Sequence, residues 1–144
     1  MKKTVLIGLF IFISNLVFSQ KIKLKADKIL IDEKEVFGYK KEVVNGDQTL
    51  TIYDLNTKEE LIFIKEDDAG THGADSRSDD FTIYKFLKEG IKLEISTYNF
   101  MSNNVKFLFK NEIFDINGKL NEKKIAELKD KYDEKISEKT ILIR

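Results

Sequence analysis

From Lys21 to Ile116 apolar and polar residues alternate in short runs, and each run is bounded by turn-forming residues. Alternation with a period of two places every second side chain on one face, as in a half-buried β-strand. KIKLKA (21–26) sets Ile22, Leu24 and Ala26 on one face and three lysines on the other, as an edge strand would. KILID and EVFGYKK flank the polar tetrad Asp32 to Glu35 and read as a hairpin. Asn45-Gly46 inside VVNGDQ tolerates positive φ and marks a tight turn. TLTIYDL and ELIFIKE enclose NTKE, with Leu50 and Ile52 on one side and Ile62 and Ile64 on the other setting the strand faces. FTIYKFL and IKLEIST are joined through Lys88, Glu89 and Gly90; VKFLFK and EIFDI follow, with Val105, Phe107 and Phe109 alternating. IYDLNTKEELIFI and IYKFLKEGIKLEI resemble each other, which we read as recurring hairpin chemistry, because two copies are too few for a solenoid.

The period then changes. NGKLNEKKIAELKDKYDEKI offers Asn121 as an N-cap and spaces Ile125, Leu128, Tyr132 and Ile136 helically, predicting an amphipathic helix over about 121–137. Its charged face carries an attractive Glu127/Lys131 pair and a repulsive Asp130/Glu134 pair. TILIR at the end reads as a last strand. The fold class expected is α+β: a single antiparallel β meander of about eight strands with one C-terminal amphipathic helix packed on it.

The first residues follow another logic. MKKTVLIGLFIFISNLVFSQ has Lys2 and Lys3, an apolar run and the small residue Ser19, the pattern of a secretory signal peptide over 1–19. The apolar run is shorter than the roughly 20 residues a spanning helix requires, so no membrane span is expected after cleavage. Residues 20–144 then form a single domain, periplasmic or secreted, large enough to bury a core without staples.

Composition narrows the chemistry. The absence of cysteine excludes a disulfide framework, a thiolate metal site and a cysteine nucleophile. The formal net charge is 0, and removal of Lys2 and Lys3 leaves the mature chain slightly acidic, so no nucleic-acid partner is expected. The sequence contains no phosphate loop or dinucleotide fingerprint, and no cofactor is expected.

One stretch differs from the rest. DDAGTHGADSRSDD (67–80) holds five acidic residues and His72, the only histidine. It is long for a hairpin connection; loops of that length tend to be binding or disordered, and the bland reading is a solvated connector between two strands. Asp67, Asp68, His72, Asp75, Asp79 and Asp80 are therefore the candidate binding residues. As an EF-hand the segment fails, because Gly70 and His72 fall on ligand positions; a nonstandard calcium site would draw on Asp75 and Asp79. Zinc is set aside for want of further histidine or cysteine. Ser76, Ser78, His72, Asp75 and Asp79 supply the residue types of a hydrolytic triad without a nucleophile elbow.

The signal ending in FSQ, paired strands such as KADKILIDEKEVFGY, and VKFLFKNEIFDINGKLNEKKIAELKDKYDEKI together resemble small secreted proteins of unknown function of flavobacterial type. The resemblance implies an envelope or secreted location and an antiparallel sheet with one helix, and it carries no catalytic residues. The leading reading is a non-enzymatic binding module for another protein or an envelope component, in one version an immunity-like protein whose acidic loop plugs a basic active site. Two rivals stand beside it: a small secreted hydrolase using His72 with neighbouring carboxylates, and a calcium-stabilised envelope module.

Overall fold

Tight turns with positive φ at both central residues match the right-handed twist of paired strands, and this chain uses three of them. Ala26-Asp27, Asp32-Glu33 and Asn45-Gly46 all have φ between 49° and 96°. In the computed structural model, which describes residues 21–67, 80–96, 101–115 and 117–141, they join the first four strands of a seven-stranded antiparallel sheet. The strands are β1 (Ile22–Lys25), β2 (Lys28–Ile31), β3 (Lys34–Val44), β4 (Asp47–Asp54), β5 (Glu60–Asp67), β6 (Phe81–Phe86) and β7 (Ile91–Ile95). Their order in the sheet is their order in the chain, so every strand pairs with its sequence neighbour.

The meander forecast from alternation is thus present, with seven strands. Ala26 lies in the first turn, outside the apolar face to which the alternation assigned it. Asp54 shapes the β4–β5 connection: its Oδ1 accepts the N–H groups of Asn56 and Thr57, each at 2.8 Å. These two bonds favour the carboxylate and hold the Asp54 pKa below its ordinary value.

One face of the sheet builds the core. Leu50 pairs with Ile64, Ile64 with Tyr84, and Tyr84 with Leu93, so one cross-strand row runs through four strands. A second row runs Tyr39, Ile52, Ile62, Phe86. Leu50, Ile52, Ile62 and Ile64 are all fully buried on the same face. Burying each such side chain contributes about 1.5–3 kcal/mol.

The region after β7 departs from the forecast. VKFLFK is not a strand but the end of helix α1 (Met101–Lys110), which turns Val105, Leu108 and Phe109 onto the sheet. The three recur at helical spacing, and the alternation of Val105, Phe107 and Phe109 is incidental to it. Glu112 to Asp115 likewise form no strand: Glu112 has φ 56°, and the pairing found there among the described residues is an isolated bridge between Phe114 and Leu120. Phe37, Phe109 and Phe114 meet here, with ring centroids 4.4 to 6.3 Å apart.

Helix α2 (Glu122–Tyr132) begins where expected, with Asn121 Oδ1 accepting the Lys124 N–H at 3.2 Å. It buries Ile125 and Leu128 against the sheet and stops at Tyr132, five residues short of the forecast. A separate helix α3 (Ile136–Ile141) occupies part of TILIR, which corrects the expectation of a closing strand for Thr140 and Ile141. Glu127 pairs with Lys124 at 3.1 Å, and Lys131 stands over the Tyr132 ring, so the Glu127/Lys131 pair does not form.

Candidate functional site

An up-and-down meander puts alternate connections at the same end of the sheet. Here the β1–β2 turn, the β3–β4 turn and the stems of the acid-rich segment, Asp67 and Phe81, which are register partners, share one end. Of the candidate binding residues, Asp67 and Asp80 fall in the described structure. Asp68, His72, Asp75 and Asp79, with the calcium and triad arrangements drawn from them, lie outside the described residues.

Asp67 is engaged by a lysine. Lys65 Nζ reaches Asp67 Oδ2 and Asp47 Oδ2, each at 2.8 Å, on the face opposite the main core. Burial alone would lower the Lys65 pKa; the bonds from the two carboxylates outweigh it and raise it, so the ammonium stays charged. The bridge ties β4 to the end of β5 and fixes where the acidic segment departs.

Under the same end lies a polar chain inside the core. Glu66 is 8% exposed, Asn104 is fully buried and Tyr84 nearly so. Tyr84 donates its hydroxyl to Asn104 Oδ1 at 3.0 Å, and Asn104 Nδ2 donates to Glu66 Oε1 at 3.1 Å. Burial pushes the Glu66 pKa up, opposed by the Asn104 bond and by Lys41, and Asp80 pushes it further up. Burial likewise drives the Tyr84 hydroxyl well above its ordinary range, so it remains a neutral donor. Glu66 continues the alternation of Ile62 and Ile64, and that period was the signal in the sequence that it faces inward.

The β3–β4 hairpin extends past β2 at this end. Residues Lys40 to Val44 are all exposed, Val43 by 71% and Val44 by 49%. Strand β2 covers β3 only from Lys34 to Gly38, closing with the bond from Tyr39 N–H to Asp27 O at 3.0 Å. Beyond it, a cleft of about 290 Å³ is lined by Lys41, Glu42, Val43, Gln48 and Thr49.

A second polar cluster lies at the opposite edge, on β7. Lys129 Nζ donates to Lys92 O at 2.7 Å, Glu134 N–H to Glu94 O at 2.8 Å, Glu94 N–H to Asp133 Oδ1 at 3.0 Å, and Ser96 N–H to Glu134 Oε1 at 3.0 Å. Helix α2 ends at Tyr132 because Asp133 and Glu134 are drawn into these bonds. The segment seals the β7 edge against strand pairing.

Among the described residues, no group of three or more His, Asp or Glu side chains is placed to hold a metal ion. No helix among them is long and apolar enough to cross a membrane. Comparisons with known protein families, with curated proteins and with solved structures return no match.

Proposed function

We propose that this protein is a non-enzymatic binding module of the periplasm or the extracellular space, holding another protein or an envelope component at the end of the sheet where the β3–β4 hairpin and the acidic segment emerge. The observation that carries this reading is the exposure of Val43 and Val44 at the end of β3, beside the charged Lys40, Lys41 and Glu42 and fixed by the ladder to β4. Exposed β-branched residues beside a cleft give a partner apolar area to cover, on a backbone that needs little reordering to bind. The Lys65 bridge and the Glu66–Asn104–Tyr84 chain support it by fixing the stems of the acidic segment. In the immunity-like version, the carboxylates of residues 67–80 oppose a basic site on the partner.

The test is capture from the envelope fraction of the native host with the tagged chain. The wild type retains one dominant partner, Val43→Asp and Val44→Asp release it, and the mature N-terminus is Gln20. A chain that stays uncleaved in the cytoplasm, or retains nothing, overturns the proposal. Hydrolytic activity abolished by His72→Ala would move the protein to the enzymatic reading.

A further inference from the structure

The two edges of the sheet are treated differently by the fold. On β7, the outward backbone groups from Lys92 O to Ser96 N each have a partner, supplied by Lys129, Asp133 and Glu134. On the other side the short β1–β2 hairpin ends at Tyr39, and among the described residues no strand covers the upper half of β3. The bond from Tyr39 N–H to Asp27 O shows that odd-numbered residues of β3 point their backbone groups toward β2, while Val44 and Asp47 close the hairpin with β4. By alternation, the N–H and C=O groups of Lys41 and Val43 point away from β4 into the space above β2, where no described strand lies.

We infer that this free half of β3 is a strand-addition site, which takes an extended, acidic segment of the partner protein in antiparallel pairing. The inference rests on the binding reading above and names how that partner is held. Main-chain bonds to Lys41 and Val43 would give the register, and the flanking cleft of about 290 Å³ receives side chains. The chemistry of the segment follows from what it faces. Lys41 and Val43 lie on one face, two residues apart. The Lys41 ammonium stands over the Tyr39 ring, 5.7 Å from its centroid; its charge reaches the buried Glu66 through space, and no ion pair joins it to a carboxylate among the described residues. Opposite it a carboxylate is favoured, and opposite Val43 an apolar side chain.

The edge of β1 is the weaker rival, because exposed Lys23 and Lys25 alternate along it and it carries no exposed large apolar side chain. A second copy of this chain is disfavoured by size: a shared edge of about four residues covers far less than the roughly 1,200–2,000 Å² of a stable protein interface. A flexible segment of a partner does not need that area.

The experiment uses the full mature chain and a short capped peptide repeating Val-Thr-Glu-Thr, which puts Val and Glu two residues apart on one face, with a peptide carrying Lys in place of Glu as control, read by amide exchange and chemical-shift perturbation. The expected result is binding of the acidic peptide only, with protection appearing at the Lys41 and Val43 amides. Val43→Pro deletes one outward N–H without touching the β3–β4 ladder, as proline permits on an edge, and lowers affinity about tenfold at unchanged melting temperature. Glu42→Pro, which breaks the β4 ladder, instead lowers the melting temperature. Equal affinity of Val43→Pro, equal binding of both peptides, no binding, or a dimer dissolved by Val43→Pro each overturns the inference. If the native partner is still captured by Val43→Pro but lost on Val44→Asp, strand addition fails and the binding module stands; if neither variant nor wild type captures anything, the binding reading itself fails.

Discussion

Ser137 donates both its backbone N–H and its hydroxyl to the Glu94 carboxylate, at 2.7 and 2.6 Å, across 43 residues of chain. Glu94 is 1% exposed, and Lys92 Nζ completes its shell at 2.7 Å. A buried carboxylate is tolerated when its oxygens are met by donors, and here the donors come from both the strand and the segment that covers it. Glu94→Ala removes the acceptors and frees the segment, with an expected loss of about 1–3 kcal/mol. Ser137→Ala keeps the backbone N–H and loses only the hydroxyl, about 1 kcal/mol. Urea denaturation measures both, and faster amide exchange at Glu94 and Ser96 in the first variant shows that the β7 edge has opened.

The same cluster sets the acid limit of stability. Burial would raise the Glu94 pKa, but bonds from Lys92 and Ser137 together outweigh it and hold the group below its ordinary 4.5. At Asp133 burial is likewise outweighed by the Glu94 N–H, Lys129 and the Lys135 N–H, so this group too lies below its ordinary 3.8. A carboxyl with a depressed folded pKa contributes stability that is fully present above the unfolded value and lost as pH falls through the folded one. Stability therefore falls below about pH 4, and Glu94→Gln shows a shallower acid limb in a melting series from neutral pH downward.

Glu66 has the opposite sign. Its folded pKa is raised by burial above the ordinary 4.5, so the native state binds this proton more tightly than the unfolded chain. The group thus disfavours folding as pH rises from 4.5 through its folded value, and the penalty persists at neutral pH. Glu66→Gln keeps an oxygen to accept from Asn104 Nδ2 and removes the charge. It is expected to melt higher than wild type at neutral pH, with the two curves converging below pH 4.5. A lower melting temperature for Glu66→Gln at neutral pH would contradict this account.

Much of this arrangement is legible in the sequence. Period-two alternation marks all seven strands and Asn45-Gly46 marks the turn between β3 and β4, while the Ala26-Asp27 turn carries no such signal, so the alternation runs Ala26 into β1. Helix α1 was missed because Val105, Phe107 and Phe109 mimic a strand, while the deciding residue, fully buried Leu108, would have faced solvent in that reading. The end of α2 was missed for another reason. Asp133 and Glu134 suit a charged helix face, and only the position of the β7 edge makes them better partners for Glu94 and Ser96. The strands that flank the acidic segment, ending at Asp67 and beginning at Phe81, are legible from alternation, whereas the exposed edge of β3 depends on β2 being shorter than β3, which alternation cannot show.

Tyr84 and Asn104 test whether the buried polar chain is structural. Tyr84→Phe preserves the ring, its place in the Leu50–Ile64–Tyr84–Leu93 row and its contact with Phe107, 5.7 Å away. It strips Asn104 Oδ1 of its donor inside the core, which costs about 1–3 kcal/mol. Asn104→Leu in the same background removes the stranded acceptor, and recovers part of the loss while leaving Glu66 without its donor. The double-mutant cycle in urea should give a coupling of at least about 0.5 kcal/mol, since the residues share one network. Additive losses would mean that the hydroxyl is satisfied elsewhere.

Gly118 lies where the chain between α1 and α2 crosses over β3, and two independent features require it to be glycine. Its φ is +77°, in the left-handed region that side chains disfavour, and a Cβ there would stand 2.8 Å from Val36 Cγ1 and 3.2 Å from Phe37 Cζ. Asp115 Oδ1 fixes this conformation by accepting the N–H groups of Asn117 and Lys119 at 2.9 and 2.7 Å, so the turn cannot relax without losing them. Phe37, at the contact, is itself locked against Phe114 with centroids 4.4 Å apart. Gly118→Ala is therefore expected to cost about 1–3 kcal/mol, from backbone strain and displacement of Phe37 together. Val36→Ala added to Gly118→Ala should recover the packing share and leave the backbone share. The size of that recovery in urea denaturation measures how much of the requirement for glycine is space and how much is φ.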